Sequence, residues 1–233
     1  MLILAFETSA KAGSVALLEQ DKLLAESYQN TGLTHSQTVM SMAQALLESC
    51  GYTAKDLGAV AVAAGPGSFT GVRIGVAAAK GLAWGGQIPC YGVSTLEAMA
   101  RYLGVHNGIV LPVMDARRSQ VYNGVFRAEN GILTRLTEDR AISLEDLGKE
   151  LQNAEGPFFL VGDGSTLCYN TLQEAVPGLV LPPEHRMHQR AAGVGLVAYE
   201  MIAGGDPGDG ASLQPNYLRL SQAERERLAK MEK

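Results

Sequence analysis

Short apolar runs alternate with helical patterns along the first part of the chain. Continuous apolar runs such as 2–6 and 59–64 are typical of strands that are buried on both faces. Thr34 and Ser94 each precede a stretch of helical pattern and predict helix N-caps. The predicted strands are 2–6, 13–18, 22–28, 59–64 and 88–93, and the predicted helices are 34–50, 70–84 and 94–102.

A second series of elements follows a junction at 104–108. The dipeptide Asn130-Gly131 predicts a tight hairpin turn between two strands. Ser143 predicts the N-cap of a further helix. The predicted strands are 109–114, 120–127, 132–136 and 158–161, and the predicted helices are 143–151 and 165–175.

The two halves correspond to one another. In each half an acidic residue ends the first strand, a hairpin turn follows, and a glycine turn ends a later strand before a helix. This agreement indicates an internal duplication, although any α/β protein alternates such elements. The matched pairs are Glu7 with Asp115, Asp21 with Asn130, and Gly65 with Gly162.

Three strands, a helix, a strand and a helix, given twice, form the ground plan of the actin-like (ASKHA, ribonuclease H-like) fold. We therefore expect a duplicated α/β protein with two similar modules. The predicted modules are 1–104 and a smaller 105–233, with the C-terminal segment packing back on the first module. A fold of this kind does not by itself establish a function.

Composition and charge narrow the class of protein. Hydrophobic residues make up 46% of the chain and charged residues 18%, which favours a packed core over disorder. The formal net charge of −5 argues against an extended nucleic-acid groove made by this chain alone. The spacing of Cys50, Cys90 and Cys168 predicts buried reduced thiols, and it offers neither a disulfide framework nor a zinc ribbon.

The opening apolar run ends at Glu7, which makes it too short for a signal peptide or a membrane span. No later stretch reaches about 18 apolar residues free of charge. We therefore expect a cytoplasmic protein without a membrane partner.

Two glycine- and hydroxyl-containing turns are candidates for binding phosphate. Small hydroxyl residues and glycines can offer backbone N–H groups to an anion, and the helix that follows the second turn favours negative charge at its N-terminus. The alternative is a pair of tight turns whose hydroxyls satisfy the backbone. The candidate residues, as a vestigial phosphate site, are Glu7, Thr8, Ser9, Gly65 and Gly67.

The helices predicted at 34–50 and 70–84 carry more apolar surface than one core face requires. In the second helix small residues recur at a spacing of four, which allows another helix to approach closely. This pattern predicts an oligomer interface, with a broad core face as the alternative. The predicted interface residues are Ser36, Val39, Met40, Ala43, Leu47, Gly71, Gly75, Ala78, Ala79 and Leu82.

Catalytic and metal-binding patterns are absent from the sequence. None of the histidines His35, His106, His185 and His188 has a carboxylate partner at ligand spacing, so no metal site is predicted. His35 falls in the first turn of a helix and is expected to be structural. No Ser-His-Asp or Cys-His arrangement can be assembled, so no catalytic residue is assigned.

Five segments carry a resemblance to a known family. They are ILAFETS at 3–9, THSQ at 34–37, GPGSFTGVRIG at 65–75, MDAR at 114–117 and PNYLR at 215–219. In this order they resemble the bacterial TsaB (YeaZ) family over almost the whole chain, and the glycine-turn motif is highly specific.

The resemblance implies an actin-like subunit in the synthesis of threonylcarbamoyladenosine in transfer RNA. TsaB proteins pair with the catalytic relative TsaD, which transfers the threonylcarbamoyl group from an adenylate made by TsaC. The ATPase TsaE joins them. The resemblance also implies a homodimer when the chain is alone, tRNA contact through the complex, and ATP or ADP at complex interfaces. The family's dimer surface is the same helix pair.

The resemblance also implies a difference from the catalytic relative. Two histidines of that relative bind a metal, and the matching positions here are Thr95 and Met99. Neither is a suitable ligand, so we expect a non-catalytic subunit without a metal site. No peptidase activity is expected, although the group has been described as glycoprotease-like.

Two functions remain as hypotheses. The first is a scaffold that pairs with TsaD and recruits TsaE. The second is a small phosphotransferase or ATPase of the same fold, which the acid after the first strand and the glycine turns favour. Arg117-Arg118 and the basic segment 225–230 are candidate minor contacts to tRNA, with solvated surface as the alternative.

Overall fold

The computed structural model describes residues 1–103 and 107–219. The predicted module boundary after residue 104, His106 and the basic segment 225–230 lie outside the described residues. In the part of the chain that is described, no helix is both long and apolar enough to cross a bilayer.

The first module is built on a five-stranded sheet with the strand order β3-β2-β1-β4-β5. The central strand β1 runs antiparallel to β2 and parallel to β4. The strands are β1 (Leu2–Glu7), β2 (Gly13–Glu19), β3 (Lys22–Gln29), β4 (Leu57–Gly65) and β5 (Cys90–Ser94), and the helices are α1 (His35–Ser49), α2 (Phe69–Gly86) and α3 (Thr95–Leu103).

Helices cover both faces of this sheet, which explains its continuous apolar strands. Leu4 and Phe6 of β1 point to one face, where they pack against α1 and α2. Ile3 and Ala5 point to the opposite face and pack in a core with α3 and the late helix α7 (Ala191–Ala203).

The second module repeats this plan. Its strand order β10-β7-β6-β11-β12 matches β3-β2-β1-β4-β5, with β8 and β9 added beside β6. The predicted duplicated actin-like fold is therefore confirmed. The strands are β6 (Gly108–Arg117), β7 (Gln120–Asn123), β8 (Phe126–Glu129), β9 (Ile132–Arg135), β10 (Arg140–Ser143), β11 (Phe158–Val161) and β12 (Leu179–Val180), and the helices are α4 (Leu144–Gln152), α5 (Ser165–Leu172) and α6 (Glu184–Met187).

The predicted match between the hairpins at Asp21 and Asn130 is wrong. The counterpart of β3 is β10, which pairs with β7, whereas the Asn130 hairpin joins β8 to β9 as an addition. The predicted strand 120–127 is instead two strands, because the strand structure is interrupted at Gly124. There the buried Asn123 side chain donates hydrogen bonds to the carbonyls of Pro112 and Gly124.

Several elements differ from the sequence predictions in extent. The helix α5 ends at Leu172 rather than at 175, and β10, β12, α6 and α7 were not predicted.

Cys90 and Cys168 are buried free thiols as expected, whereas Cys50 is only half-buried. Ser143 caps α4 as predicted, but the side chain of Thr34 makes no capping hydrogen bond to α1.

The start of α7 is tied to the far edge of the first sheet. The Glu26 carboxylate of β3 accepts hydrogen bonds from the Arg190 guanidinium at 2.7 Å and from the Ala192 backbone N–H at 3.1 Å. The segment that follows the second module's strands is thereby fixed against the first module.

Candidate functional site

The predicted partner helices α1 and α2 lie side by side on one face of the first sheet. Ser36 and Met40 of α1 are exposed, and Met40 exposes 46% of its surface. Ala78 and Leu82 of α2 are half-buried. These four side chains are the predicted interface residues that reach the surface of the isolated chain.

A groove of about 370 Å³ runs between the two helices. Two further predicted interface residues, Ala43 and Leu47, are buried but still line this groove together with Met40, Tyr52 and Leu82. The walls are therefore largely apolar. Such a groove can receive an apolar side chain of another protein.

The remaining predicted interface residues face inward, which corrects the prediction that the small residues of α2 form a partner surface. A Cβ atom on Gly71 would lie 2.1 Å from the carbonyl oxygen of Thr8, and one on Gly75 would lie 2.3 Å from Thr8 Oγ1. Close packing against the end of β1 therefore requires these glycines. Val39 and Ala79 are likewise covered by the chain's own core.

Trp84 is the largest exposed apolar side chain on these helices, with 87% of its surface accessible. Gly81 and Gly85 beside it face open space. The sequence analysis treated Trp84 only as the end of a predicted helix. Gly81 joins this area to Leu82, so the apolar surface extends from the groove toward the end of α2.

A second concave site lies between the two modules and has a volume of about 460 Å³. It lies where β1 and β6 end, where α2 begins, and where the C-terminal segment returns. Polar and charged side chains line it, including Ser9, Lys11, Asp115, Arg117 and Asp163.

The structure divides the five predicted phosphate-site residues. Ser9 and Gly67 line the cleft between the modules. Glu7 and Thr8 are buried beneath it, and Gly65 is covered by the backbone of the C-terminal segment, so these three do not form its wall. Only Ser9 and Gly67 of the five therefore line the cleft, because Thr8 packs against α2 and Glu7 holds the turn, and the phosphate site itself stays a prediction.

Glu7 is a buried carboxyl group with an unusual environment. Its Oε1 accepts a 2.6 Å hydrogen bond from the Ser9 backbone N–H, while Oε2 has no hydrogen-bond partner within the described residues. Burial raises the pKa of Glu7 to about 7, and the charge of Asp163 adds to that rise. Desolvation raises the pKa of Asp163 as well, against the opposing hydrogen bond from Gln189.

The C-terminal segment crosses the glycine turn and contacts both modules. The Asn216 backbone N–H donates to the Ala64 carbonyl at 2.6 Å. Tyr217 stacks on Phe69 with 4.5 Å between ring centroids. The Arg219 guanidinium donates to the carbonyl of Ala116 in β6. The sequence analysis identified this segment as part of the family resemblance and expected the C-terminal segment to pack back on the first module.

The positions matched with the relative's metal histidines lie inside the protein. Thr95 and Met99 are both buried, and Met99 packs in a core between α3 and the second sheet. The described residues contain no group of three or more His, Cys, Asp or Glu side chains that could hold a metal ion. His35 contacts the Ala10 carbonyl at 2.7 Å. His188 contacts the carboxylate of Glu184 at 2.9 Å, which corrects the expectation that no histidine has a carboxylate partner.

Comparisons with known proteins extend over nearly the whole chain. The family model described as "TsaD: tRNA N6-adenosine threonylcarbamoyltransferase" matches residues 27–226. The tRNA threonylcarbamoyladenosine biosynthesis protein TsaB of Bacillus subtilis is 35% identical over 225 residues, covering 96% of each chain. The protein of the same name from Escherichia coli is 35% identical over 226 residues, again covering 96% of each chain.

Solved structures agree with this relationship. A Pseudomonas aeruginosa protein described as similar to peptidase YEAZ superposes with a TM-score of 0.78 at 28% identity, covering 94% of this chain and 99% of that one. The ethanolamine utilization protein EutJ of Carboxydothermus hydrogenoformans, with a TM-score of 0.52 at 14% identity over 84% of this chain and 90% of that one, shares the fold alone. The chain therefore belongs to the family that the TsaD model describes and, within it, to the TsaB (YeaZ) proteins.

Proposed function

We propose that this chain is a non-catalytic scaffold in the synthesis of threonylcarbamoyladenosine in transfer RNA, and that it pairs with a TsaD-type transferase. The names of its relatives support the pathway. The observation that carries the pairing is the open apolar groove between α1 and α2. Apolar side chains left at the surface of one face are typical of a protein interface.

The groove supports pairing through a few central contacts. Met40 stands on its rim, while Ala43 and Leu47 form its inner wall. A partner side chain that enters the groove would be shielded from water on all sides. Fully desolvated side chains of this kind often contribute most of the binding energy of an interface. Trp84 extends the same surface and is of a type enriched in such positions.

Since α1 and α2 are part of the first module, we propose that the interface lies on that module, for which we propose the bounds 1–104. The second module, 105–233, then remains available for other contacts. We propose that the chain forms a homodimer through the same groove when alone, because an exposed apolar face can pair with its own copy.

The proposal places catalysis on the partner subunit. Thr95 and Met99 stand where the resemblance places metal-binding histidines, and both are buried in the core. Neither side chain is a ligand that a hard metal ion prefers. We expect no peptidase activity, although one similar structure is described by its likeness to a peptidase.

We further propose that TsaE joins the pair, that tRNA binds through the complex, and that any ATP or ADP binds at the interfaces between subunits. The net charge of −5 supports a small share of the tRNA contact for this chain, because binding to phosphate backbones needs clustered Lys and Arg. Arg117 and Arg118 are exposed, and they are the candidate tRNA contacts that lie within the described residues.

The test is size-exclusion chromatography with light scattering on this chain mixed with the TsaD-type protein of the same organism. Met40→Glu places a charge on the rim of the groove. Leu23→Glu is the matched control, since Leu23 exposes 44% of its surface but lies on β3, away from the groove. We expect a one-to-one complex that Met40→Glu abolishes and Leu23→Glu retains. Equal effects of the two variants, or no complex between folded proteins, would refute the proposed interface.

A small phosphotransferase or ATPase is the second candidate, favoured by the cleft between the modules. The burial of Glu7 and Thr8 beneath that cleft weighs against it, because neither side chain reaches a ligand there. ATP turnover by the purified chain alone, lost in Glu7→Gln, would favour this candidate over the scaffold.

A further inference from the structure

The outward face of α1 carries almost no charge. Of the 15 residues of this helix, only Glu48 is an Asp, Glu, Lys or Arg, and its exposed positions include Ser41, Gln44 and Ala45. Helices that face water usually carry several charged residues on that side, whereas the centre of a protein interface is depleted of them. The Glu48 carboxylate is therefore the one acidic or basic group that α1 presents to a partner.

Glu48 lies at an unfavourable position of its helix. It is in the last turn of α1, where the negative end of the helix dipole repels a carboxylate, and that turn contains no basic residue. A neutral side chain at this position would stabilise the isolated helix better. The folding of the monomer therefore does not require this charge.

The fold leaves the Glu48 carboxylate only partly occupied. Its Oε1 accepts a 2.8 Å hydrogen bond from Gln44 Nε2, one turn earlier in α1. In the described part of the chain, none of the ion pairs involves Glu48. Lys55, the next cation along the sequence, is exposed and lines a neighbouring groove. The carboxylate therefore remains open to a cation from another protein.

Glu48 is also part of the groove between α1 and α2. It lines the cavity of about 370 Å³ together with apolar side chains such as Met40 and Leu47. It is the only Asp, Glu, Lys or Arg among the residues that line this groove. A side chain that enters meets apolar walls and one exposed carboxylate. An apolar insert that is followed by a positive charge matches both features.

We propose that Glu48 determines which partner the groove accepts, by pairing with an Arg or Lys that the partner presents beside its inserted apolar side chain. This inference rests on the proposed pairing with a TsaD-type protein and names the chemistry that the partner must bring. A partner with a neutral or acidic side chain at that position would leave the carboxylate uncompensated as water is excluded.

The same charge opposes pairing with a second copy of this chain. A twofold interface brings the same surface of both copies together. No Lys or Arg lines the groove to compensate the Glu48 of the other copy. Glu48 therefore favours a basic partner over self-pairing, through attraction to the one and a lack of compensation in the other.

Surface plasmon resonance between this chain and the TsaD-type protein of the same organism tests the role of the charge. Glu48→Gln keeps the size of the side chain and removes its charge. Glu155→Gln is the matched control, since Glu155 is exposed, lies in the second module and forms no ion pair within the described residues. At low salt we expect Glu48→Gln to weaken pairing by about fivefold, mainly through slower association, and Glu155→Gln to leave it unchanged.

Salt and charge reversal sharpen the test. The difference between parent and Glu48→Gln should largely disappear at about 0.5 M NaCl, because salt screens an exposed charge pair. Glu48→Lys should weaken pairing further than Glu48→Gln. Both variants should melt no lower than the parent, because the end of α1 disfavours the carboxylate. Sedimentation velocity of the chain alone should show that Glu48→Gln associates with itself at least as tightly as the parent does.

The outcomes separate this inference from the pairing on which it rests. A complex of unchanged affinity in both Glu48 variants, or equal losses in Glu48→Gln and Glu155→Gln, would overturn the role of Glu48 and leave the pairing intact. Equal weakening of self-association and of pairing by Glu48→Gln would also overturn it, because the charge would then not discriminate. No complex between the folded parent and the TsaD-type protein would refute the pairing and this inference together.

Discussion

Thr8 Oγ1 donates a buried 2.8 Å hydrogen bond to the carbonyl oxygen of Gly71 and so joins the end of β1 to the first turn of α2. One turn later, Gly75 lies directly against the same Thr8 side chain. The glycines of α2 thus allow the helix to rest on the strand end. Because Gly75 has this role, replacing it cannot separate partner binding from folding.

Substitution of Gly75 by Ala should destabilise the monomer. The new Cβ atom would lie 2.3 Å from Thr8 Oγ1 and 3.2 Å from a Val62 methyl group, so α2 or β1 must shift. Overpacking of this kind costs about 1–3 kcal/mol. Urea denaturation followed by circular dichroism measures the loss.

Gly81→Ala is the matched control in the same helix. Nothing lies within 4 Å of a Cβ atom at Gly81, so the substitution adds helix propensity without a clash. We expect the free energy of unfolding to rise by about 0.5–1 kcal/mol. A Gly75→Ala variant that gained stability as Gly81→Ala does would contradict the close contact between Thr8 and α2.

Glu7 should make stability depend on pH. Its pKa is raised to about 7 in the folded state from the ordinary value of 4.5, so the folded chain holds this proton more tightly than the unfolded chain. Stability therefore falls as pH rises from about 4.5 to about 7 and levels off above. The predicted loss is on the order of 3 kcal/mol.

The comparison of Glu7→Gln with the parent at pH 5 and pH 8 isolates this effect. Glutamine keeps an oxygen that accepts from the Ser9 N–H but cannot ionise. Asp163, whose pKa is also raised, remains in both proteins, so the difference removes its own titration and keeps only its coupling to Glu7. The variant should gain stability relative to the parent by about 2–3 kcal/mol between the two pH values. A constant difference would mean that Glu7 titrates normally.

The sequence predicted those elements whose pattern is local. All five strands of the first sheet and the helices α1 to α3 were located, because apolar runs and N-cap residues determine them. In the second module the Asn130-Gly131 signal was read correctly as a hairpin but was matched with the wrong partner. Strand pairing depends on contacts between distant segments, and a turn signal does not contain that information.

The candidate sites show the same division. Apolar excess drew attention to α1 and α2, whose role as an interface stays a prediction, and it did not distinguish the face of α2 that rests on Thr8 from the face that borders the groove. The late helix α7, apolar almost all round, gave no periodic signal because it is buried between β-sheet and α3. That the buried Ser9 hydroxyl has no hydrogen-bond partner within the described residues could not be predicted, since its isolation follows from the tertiary contacts of its neighbours.

Trp84 should report partner binding directly. It is the single tryptophan of the chain and is 87% exposed, so a fluorotryptophan-labelled sample gives one fluorine NMR signal from this position. Addition of the unlabelled TsaD-type protein should shift and broaden that signal, and the Met40→Glu variant should leave it unchanged. A signal that does not move although a complex forms would place Trp84 outside the interface.

Tyr217 should stabilise the chain through two separable contacts. Its hydroxyl accepts a 2.7 Å hydrogen bond from Arg73 Nε, and its ring stacks on Phe69. Tyr217→Phe removes only the hydrogen bond and should cost about 0.5–1 kcal/mol, because the site is partly exposed. Tyr217→Ala also removes the ring and should cost about 1–3 kcal/mol in total.

A double-mutant cycle with Arg73→Met tests whether the cost of Tyr217→Phe comes from the hydrogen bond to Arg73. If the hydrogen bond to Arg73 explains the effect of Tyr217→Phe, that substitution should cost nothing further once Arg73 is replaced. The loss in Tyr217→Ala should largely persist in the same background, because stacking on Phe69 does not need the guanidinium. Equal losses in both backgrounds would show that Arg73 and Tyr217 act independently, and the C-terminal segment would then be held mainly by its backbone contact to Ala64 and by Arg219.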